Sequence, residues 1–136
     1  RSVNGWAASN AALSPALPGA IRTLAEDALK FVRREARRKS RYDGVILDPP
    51  TFGRGTKGEV WKIERDLWPL LEGCAQLLSD APLFALLTAH SPGVTPRILE
   101  AALARLGGPG RVELGEMLLT GAGPLLPAGA YARAEY

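Results

Sequence analysis

Residues 42–58 read YDGVILDPPTFGRGTKG, and this segment contains the features that decide the fold. Its first part, 42–48, carries the continuous apolar run Val45, Ile46, Leu47, which is typical of a parallel strand buried on both faces. Asp48 ends the strand, and the two prolines after it cannot donate to a ladder, so they stop the strand and stiffen the turn. A carboxylate at this end of a parallel strand lies where open α/β sheets bind their ligands.

Alternating helices and strands are predicted around this strand. Asp27 is expected to cap the second helix, whose apolar side faces away from a basic side. The predicted elements are helix 2–13 (amphipathic), strand 20–25, helix 27–39, strand 42–48, helix 65–79 (starting near Trp68 because of Pro69), strand 82–89, a helix after Thr95-Pro96, and strands 112–120 and 131–136. The alternation predicts an α/β fold with a mostly parallel sheet, closed by a hairpin-like pair.

Composition restricts the class of protein. The chain has 136 residues and is 46% hydrophobic, which is enough for one domain with a core. Charged residues make up 23% of it, and its net charge is +3. It has no apolar run near 18 residues and no signal peptide, and its one cysteine excludes an internal disulfide. We therefore expect a cytoplasmic protein without a membrane partner. Because the first residue is Arg1 and helical spacing begins at Val3, we expect a fragment of a longer protein.

The glycine-rich stretch 53–58 is formally G-x-G-x-x-G, the pattern of dinucleotide-binding loops. Such a loop must join a strand directly to a helix, whereas here Pro49, Pro50, Thr51 and Phe52 intervene. A basic loop near a nucleic-acid phosphate, or a simple solvated loop, fits the sequence better.

Asp48-Pro49-Pro50-Thr51-Phe52 resembles the motif that follows strand four of class I S-adenosylmethionine-dependent methyltransferases, in which Asn or Asp precedes two prolines and an aromatic. The longer stretch ILDPPTFGRGTKGEVWKIE (46–64) is similar to bacterial methyltransferases of the RlmI/RlmKL type, which act on ribosomal RNA. The resemblance implies a Rossmann-like methyltransferase fold with helices on both faces of the sheet and an antiparallel last strand. It covers 1–136 as the C-terminal portion of the domain, lacking the first two strands and their glycine-rich cofactor loop.

The resemblance also implies a set of site residues. Asp48 and the Pro49 carbonyl would accept hydrogen bonds from the target base, with Pro50 fixing the turn and Phe52 stacking on the base. Asp27 would accept from the adenine amino group of S-adenosylmethionine, Ala28 would donate its backbone N–H, and Asp48 would border the cofactor. The structural alternatives are a strand-ending turn, a core phenylalanine and an N-cap. No metal is implied.

RNA, ribosomal RNA above all, is the partner that the resemblance implies. Arg54 and Lys57 beside the turn are the better candidates for phosphate contacts. Arg34 and Arg38 on the basic side of the 27–39 helix are further candidates, although a solvated helix face explains them slightly better. The missing N-terminal half of the domain is a second expected partner, because without it the sheet would keep exposed edges. We therefore expect the isolated chain to bind cofactor weakly or not at all and to be inactive.

Two single residues bear on the chemistry. Cys74 lies on an apolar helix stripe and is expected to be a buried thiol rather than a nucleophile, which argues against methylation of cytosine C5. His90 stands at a strand tip, where it would orient substrate, act as a base, or simply bond the backbone. A non-catalytic RNA-binding or interaction domain with a degenerate methyltransferase fold is the alternative function. A methyltransferase for small molecules or proteins stays open as a third possibility.

Overall fold

The structure, a computed structural model, describes residues 3–14, 21–55, 58–108, 110–121 and 123–136. In chain order its elements are α1 (Val3–Ala12), α2 (Ala28–Arg37), β1 (Gly44–Leu47), β2 (Phe52–Arg54), β3 (Val60–Lys62), α3 (Ile63–Ala75), β4 (Phe84–Ala89), α4 (Pro96–Leu103), β5 (Arg111–Leu119) and β6 (Leu126–Glu135). A short 3-10 turn, Ala104–Leu106, follows α4.

The main sheet has the strand order β1-β4-β6-β5. Strands β1 and β4 are parallel, whereas β6 runs antiparallel to both β4 and β5. The predicted closing pair and the antiparallel last strand are therefore confirmed. Strands β2 and β3 form a separate two-stranded hairpin.

One face of this sheet carries the core. Every second residue of β4 is buried, and in the second half of β6 the buried residues are Ala130, Ala132 and Ala134, whose small side chains let helix α4 approach closely. The buried side chains of α3 and α4 complete the core, including Leu71, Leu99 and Leu103, none of which is exposed. Among the described residues, no helix is long and apolar enough to cross a membrane.

The opposite face of β1 is open in the part of the chain that the structure describes. Ile46 is 65% exposed, and its neighbour across the ladder is Leu86. The prediction that the 42–48 strand is buried on both faces is therefore wrong for these residues, because helices α2 to α4 share a single core with Val45 and Leu47. Helix α1 contributes no buried residue, so its predicted apolar face is not part of the core that the structure describes.

Two element predictions need correction. Residues 21–25, the described part of the predicted 20–25 strand, form no strand, and Ile21 is 59% exposed. The prediction depended on two apolar residues, Ile21 and Leu24, and no described strand lies beside them to form a ladder. Helix α3 begins at Ile63 rather than near Trp68, with Pro69 inside it. Asp66 explains the early start, because its Oδ2 accepts the Lys62 backbone N–H at 2.8 Å.

The β2–β3 hairpin was not predicted. It occupies part of the glycine stretch and the unassigned residues 59–64, with Phe52 paired to Lys62 and Arg54 to Val60. The Gly55 N–H donates to the Glu59 carbonyl at 2.9 Å, and an ion pair of 2.5 Å joins Lys30 of α2 to Glu59. The 53–58 stretch is therefore partly strand, and it does not open a helix as a dinucleotide loop would.

A buried carboxylate ties the end of α2 to the start of β1. Glu35 is only 8% exposed, and its oxygens accept from Ser40 Oγ (2.7 Å), Tyr42 Oη (3.2 Å), Arg34 (3.2 Å) and Arg38 (3.1 Å). Hydrogen bonds from Ser40, then from Arg34 and Tyr42, lower the pKa of Glu35 from 4.5 to about 2 and outweigh the opposing effect of burial.

We predict that the Glu35→Gln variant loses less stability in acid than the wild type. A carboxylate whose pKa is depressed on folding contributes stability that is present above pH 4.5 and is lost as the pH falls towards about 2. Urea unfolding at several pH values between 6 and 2.5 measures this slope. Glu100→Gln, at an exposed pair with Arg97, is the control. An equal slope in the wild type and Glu35→Gln would contradict the assignment.

Candidate functional site

Asp48 is held at the carboxyl end of the parallel pair. Because Leu47 is in register with Leu87, Asp48 and Thr88 follow as neighbours, and Thr88 Oγ1 donates to Asp48 Oδ1 at 2.5 Å. The Nε2 atom of His90 lies 3.4 Å from the same oxygen. Within the described ranges, no donor contacts Asp48 Oδ2, so one carboxylate oxygen is held and the other is free to accept.

The turn after Asp48 is fixed by its own carbonyls and by a side-chain contact. Trp61 Nε1 donates to the Pro50 carbonyl at 2.6 Å, and the Ile63 N–H donates to the Thr51 carbonyl at 3.0 Å. Thr51 Oγ1 also lies 2.7 Å from Ser91 Oγ, which joins the turn to the loop after β4. The Pro49 carbonyl has no hydrogen-bond donor among the described residues. The rigid turn thus presents two unengaged acceptors, Asp48 Oδ2 and the Pro49 carbonyl.

A cavity of about 210 Å³ opens beside this turn. It brings together residues of β1, the turn, the hairpin and the helices α2 and α3. The lining residues are Ala28, Ile46, Leu47, Asp48, Pro49, Pro50, Trp61 and Leu70. The cavity therefore brings Ala28, a predicted cofactor-binding residue, together with Asp48, Pro49 and Pro50 of the predicted turn. A larger concavity of about 580 Å³ begins at Phe84, at the other end of β4, and contains none of the predicted site residues.

The amino end of α2 forms one wall of the cavity. Asp27 is the N-cap, since its Oδ1 accepts the Lys30 backbone N–H at 2.9 Å. The Ala28 N–H is one of the first-turn donors that a helix leaves unused, and no described residue accepts it. Asp27 thus acts as a cap while the Ala28 N–H stays available to a ligand.

Phe52 lies outside this cavity, on β2. Its ring is 49% exposed, so it is not a core phenylalanine, and the Arg54 guanidinium lies 5.7 Å from the ring centroid. An exposed aromatic ring beside a cation suits a planar anionic ligand such as a nucleotide.

The other predicted basic residues lie elsewhere. Arg34 is bound to both carboxylate oxygens of Glu26 at 2.5 Å and also contacts Glu35 and the Phe31 ring. Arg38 caps the carboxyl end of α2, about 15 Å along the axis from Ala28 at 1.5 Å per residue. Lys57 lies outside the described residues. The structure brings Arg54, but not Arg34 or Arg38, to the side of the Asp48 turn.

Sequence reasoning missed Trp61 and Thr88. Trp61 was in the unassigned segment, and only its indole N–H contact with Pro50 reveals its role. Thr88 could have been found, because the carboxyl ends of neighbouring parallel strands meet at one edge of the sheet. Cys74 is 4% exposed, and burial raises the pKa of its thiol to about 11, which agrees with the expectation of an inert thiol.

Comparison with known proteins gives the same fold. No protein-family model matches the chain, and no curated protein matches it significantly. A solved SAM-dependent methyltransferase from Agrobacterium tumefaciens is 36% identical over 98% of this chain and 46% of its own, with a TM-score of 0.86. SMU.776, a proposed methyltransferase complexed with SAH, is 18% identical over 98% and 37%, with a TM-score of 0.64. A proposed SAM-dependent methyltransferase from Streptococcus mutans is 16% identical over 98% and 36%, with a TM-score of 0.61.

The chain spans less than half the length of each of these structures. Over that length it has part of the Rossmann-like fold of SAM-dependent methyltransferases, with the antiparallel last strand that the resemblance implies. The described part of the sheet is mixed, with one parallel and two antiparallel pairs, where the sequence predicts a mostly parallel sheet.

We predict that Trp61→Phe destabilises the chain by about 1 kcal/mol, because it keeps an aromatic side chain but removes the indole N–H that donates to the Pro50 carbonyl. Urea unfolding followed by circular dichroism measures the change. Trp68→Phe is the matched control, since Trp68 is 38% exposed and no acceptor contacts its indole N–H among the described residues. Equal losses in the two variants would contradict a role for the Trp61 contact.

Proposed function

We propose that this chain is part of an enzyme that transfers a methyl group from S-adenosylmethionine to a base of RNA. The proposed substrate class is ribosomal RNA, as for methyltransferases of the RlmI/RlmKL type. One observation carries the proposal. Asp48 and Pro49, which carry the two acceptors without a donor among the described residues, and Ala28, whose N–H has no acceptor there, all line a single cavity. The 36% identity to a SAM-dependent methyltransferase supports the reaction type.

The residues around the cavity fit the adenosyl part of the cofactor. The Ala28 N–H is a donor for a ring nitrogen, and Asp27 Oδ2, which no described residue contacts, is an acceptor for the amino group. The apolar surfaces of Leu47 and Leu70 provide the side of the cavity against which a flat ring packs. When bound, S-adenosylmethionine supplies an electrophilic methyl group.

The turn would orient the acceptor base. Asp48 Oδ2 and the Pro49 carbonyl accept N–H donors of the base and so direct the lone pair of the reacting atom towards the cavity. Because Pro49 and Pro50 have fixed φ angles and Trp61 holds the Pro50 carbonyl, the two acceptors are already in place before substrate binds. Catalysis then depends mainly on positioning.

RNA would approach along the β2–β3 hairpin. The exposed Phe52 ring offers a stacking surface for a base, and Arg54 above it offers a cation for a phosphate. The net charge of +3 is consistent with an anionic partner.

The rest of the methyltransferase domain is the second proposed partner. Strand β1 pairs only with β4 among the described strands, and Ile46 is 65% exposed on its open side. A further strand along β1 would satisfy this edge and complete the cofactor site. The relatives, more than twice as long as this chain, have the length for such elements.

Calorimetric titration with S-adenosylhomocysteine tests the proposal. We expect binding by the longest natural reading frame that contains the chain, and weak or no binding by residues 1–136 alone. Tight binding by residues 1–136 would contradict the need for a further part of the domain. Binding by neither protein would contradict the enzyme and favour the non-catalytic RNA-binding alternative.

A substitution at Ala28 tests where the cofactor binds. Ala28→Pro removes one N–H at the first helical position, where proline is tolerated, and Asp27 already has the extended conformation that precedes proline. We expect the affinity of the longer protein for S-adenosylhomocysteine to fall about tenfold. Ala28→Ser, which keeps the N–H, is the control. Unchanged affinity in Ala28→Pro would remove Ala28 from the site.

Salt-dependent RNA binding tests the hairpin surface. We expect Arg54→Gln to reduce the slope of log K against log salt for a single-stranded ribosomal RNA oligonucleotide by about 0.7, the value for one phosphate contact. Arg97→Gln, on the exposed surface of α4, is the control. Fluorescence anisotropy at four salt concentrations measures the slopes. Identical slopes for Arg54→Gln and Arg97→Gln would contradict an RNA contact at the hairpin.

A further inference from the structure

His90 is held between the last strand and Asp48. Its Nδ1 contacts the Ala128 carbonyl of β6, and its Nε2 lies 3.4 Å from Asp48 Oδ1. A carbonyl oxygen only accepts, so Nδ1 must carry a proton. In the neutral ring, Nε2 is then an unprotonated nitrogen that faces a carboxylate oxygen.

His90 Nε2 and Asp48 Oδ1 can therefore share one proton between them. With Asp48 ionised and His90 neutral, the two facing atoms are both acceptors, and a single proton between them turns the contact into an ion pair. Thr88 Oγ1 donates to the same oxygen, Oδ1, and leaves Oδ2 for a ligand. The carboxylate thus connects the cavity on one side with His90 on the other.

The position of the His90 ring depends on a glycine. Gly129 has a φ of 137°, and a Cβ there would lie 2.5 Å from the Ala89 carbonyl and 3.0 Å from His90 Nδ1. Only glycine allows β6 to come this close to β4 at this point. The imidazole is 57% exposed, so a proton that reaches it has a path to water.

The charged surroundings of the ring are simple. Strand β4 contributes the Thr88 hydroxyl, β6 contributes the Ala128 carbonyl, and β5 approaches with the apolar Met117 side chain near Gly129. Among the described residues, Asp48 is the charged group within 4.0 Å of the ring. Tyr131, the next polar residue of β6 on this face, donates to Glu113 at 3.0 Å.

We propose that His90 is a positioning and proton-accepting residue that acts through Asp48, and that the acceptor is a nitrogen that bears hydrogen. This proposal rests on the proposed methyl transfer. In the step, the N–C bond forms while the S–C bond breaks and its electron pair stays on sulfur. The N–H proton passes to Asp48 Oδ2, and rotation of the carboxyl group then presents it to His90 Nε2, which takes it up and releases it to water, so that charge and atoms balance.

The first test needs no cofactor and uses the fact that His90 is the one histidine of the chain. In 15N-labelled protein at a pH where the ring is neutral, long-range proton–nitrogen spectra report a single imidazole without assignment. The proposal predicts the Nδ1–H tautomer, because the Ala128 carbonyl accepts from Nδ1. The Nε2–H tautomer would overturn the proposal even if the protein is a methyltransferase.

The second test is the pH profile of methyl transfer by the longer protein that binds cofactor. His90→Gln places an amide group next to Asp48 that cannot take up a proton. We expect a loss of about 10²-fold in kcat and a displaced acidic limb, with unchanged affinity for S-adenosylhomocysteine. Arg97→Gln is the control for handling of the protein. A lower kcat with an unchanged pH profile would reduce His90 to a structural contact and overturn the proposal. Absence of cofactor binding in every variant would instead contradict the proposed function.

Discussion

The parallel pairing of β1 with β4 is the constraint on which the site depends. Its register sets Leu47 against Leu87 and so brings the next residues, Asp48 and Thr88, to the same edge of the sheet. A slip of one residue would turn Asp48 to the other face. The buried alternation of β4 fixes this register, because Ala85, Leu87 and Ala89 are at most 1% exposed.

The turn after Asp48 then fixes the positions of the acceptor atoms of the site. Two prolines prevent the chain from continuing the ladder, and the hairpin that follows returns Trp61 to the Pro50 carbonyl. Lys30 of α2 pairs with Glu59 between the two strands of the hairpin. From α3, Arg65 donates to the Val60 carbonyl and Asp66 accepts the Lys62 N–H, so β3 is held as well. These contacts engage the Pro50 and Thr51 carbonyls, whereas Asp48 Oδ2 and the Pro49 carbonyl have no donor among the described residues.

The sequence predicted those parts of the fold that local rules determine. Periodicity and capping chemistry predict the apolar stripe of α3, the Asp27 cap, the helix after Thr95-Pro96 and the closing pair, and all are present. The predicted 20–25 strand is absent at residues 21–25, because a strand needs a partner strand that the local sequence does not reveal. The early start of α3 and the β2–β3 hairpin depend on the side chains of Asp66 and Glu59, whose contacts no periodicity encodes. Of the site, Asp48, Pro49, Pro50 and Ala28 were predicted and meet at one cavity, whereas Trp61 and Thr88 were found only through their hydrogen bonds.

A crystal structure of the longest natural reading frame with bound S-adenosylhomocysteine tests the central claim most directly. We predict that the adenine ring lies against the amino end of α2, with a ring nitrogen within hydrogen-bond distance of the Ala28 N–H and its amino group near Asp27. We also predict that the sulfur lies on the side of the Asp48 turn. Adenine bound away from α2, for example in the concavity beside Phe84 and Tyr136, would contradict the account.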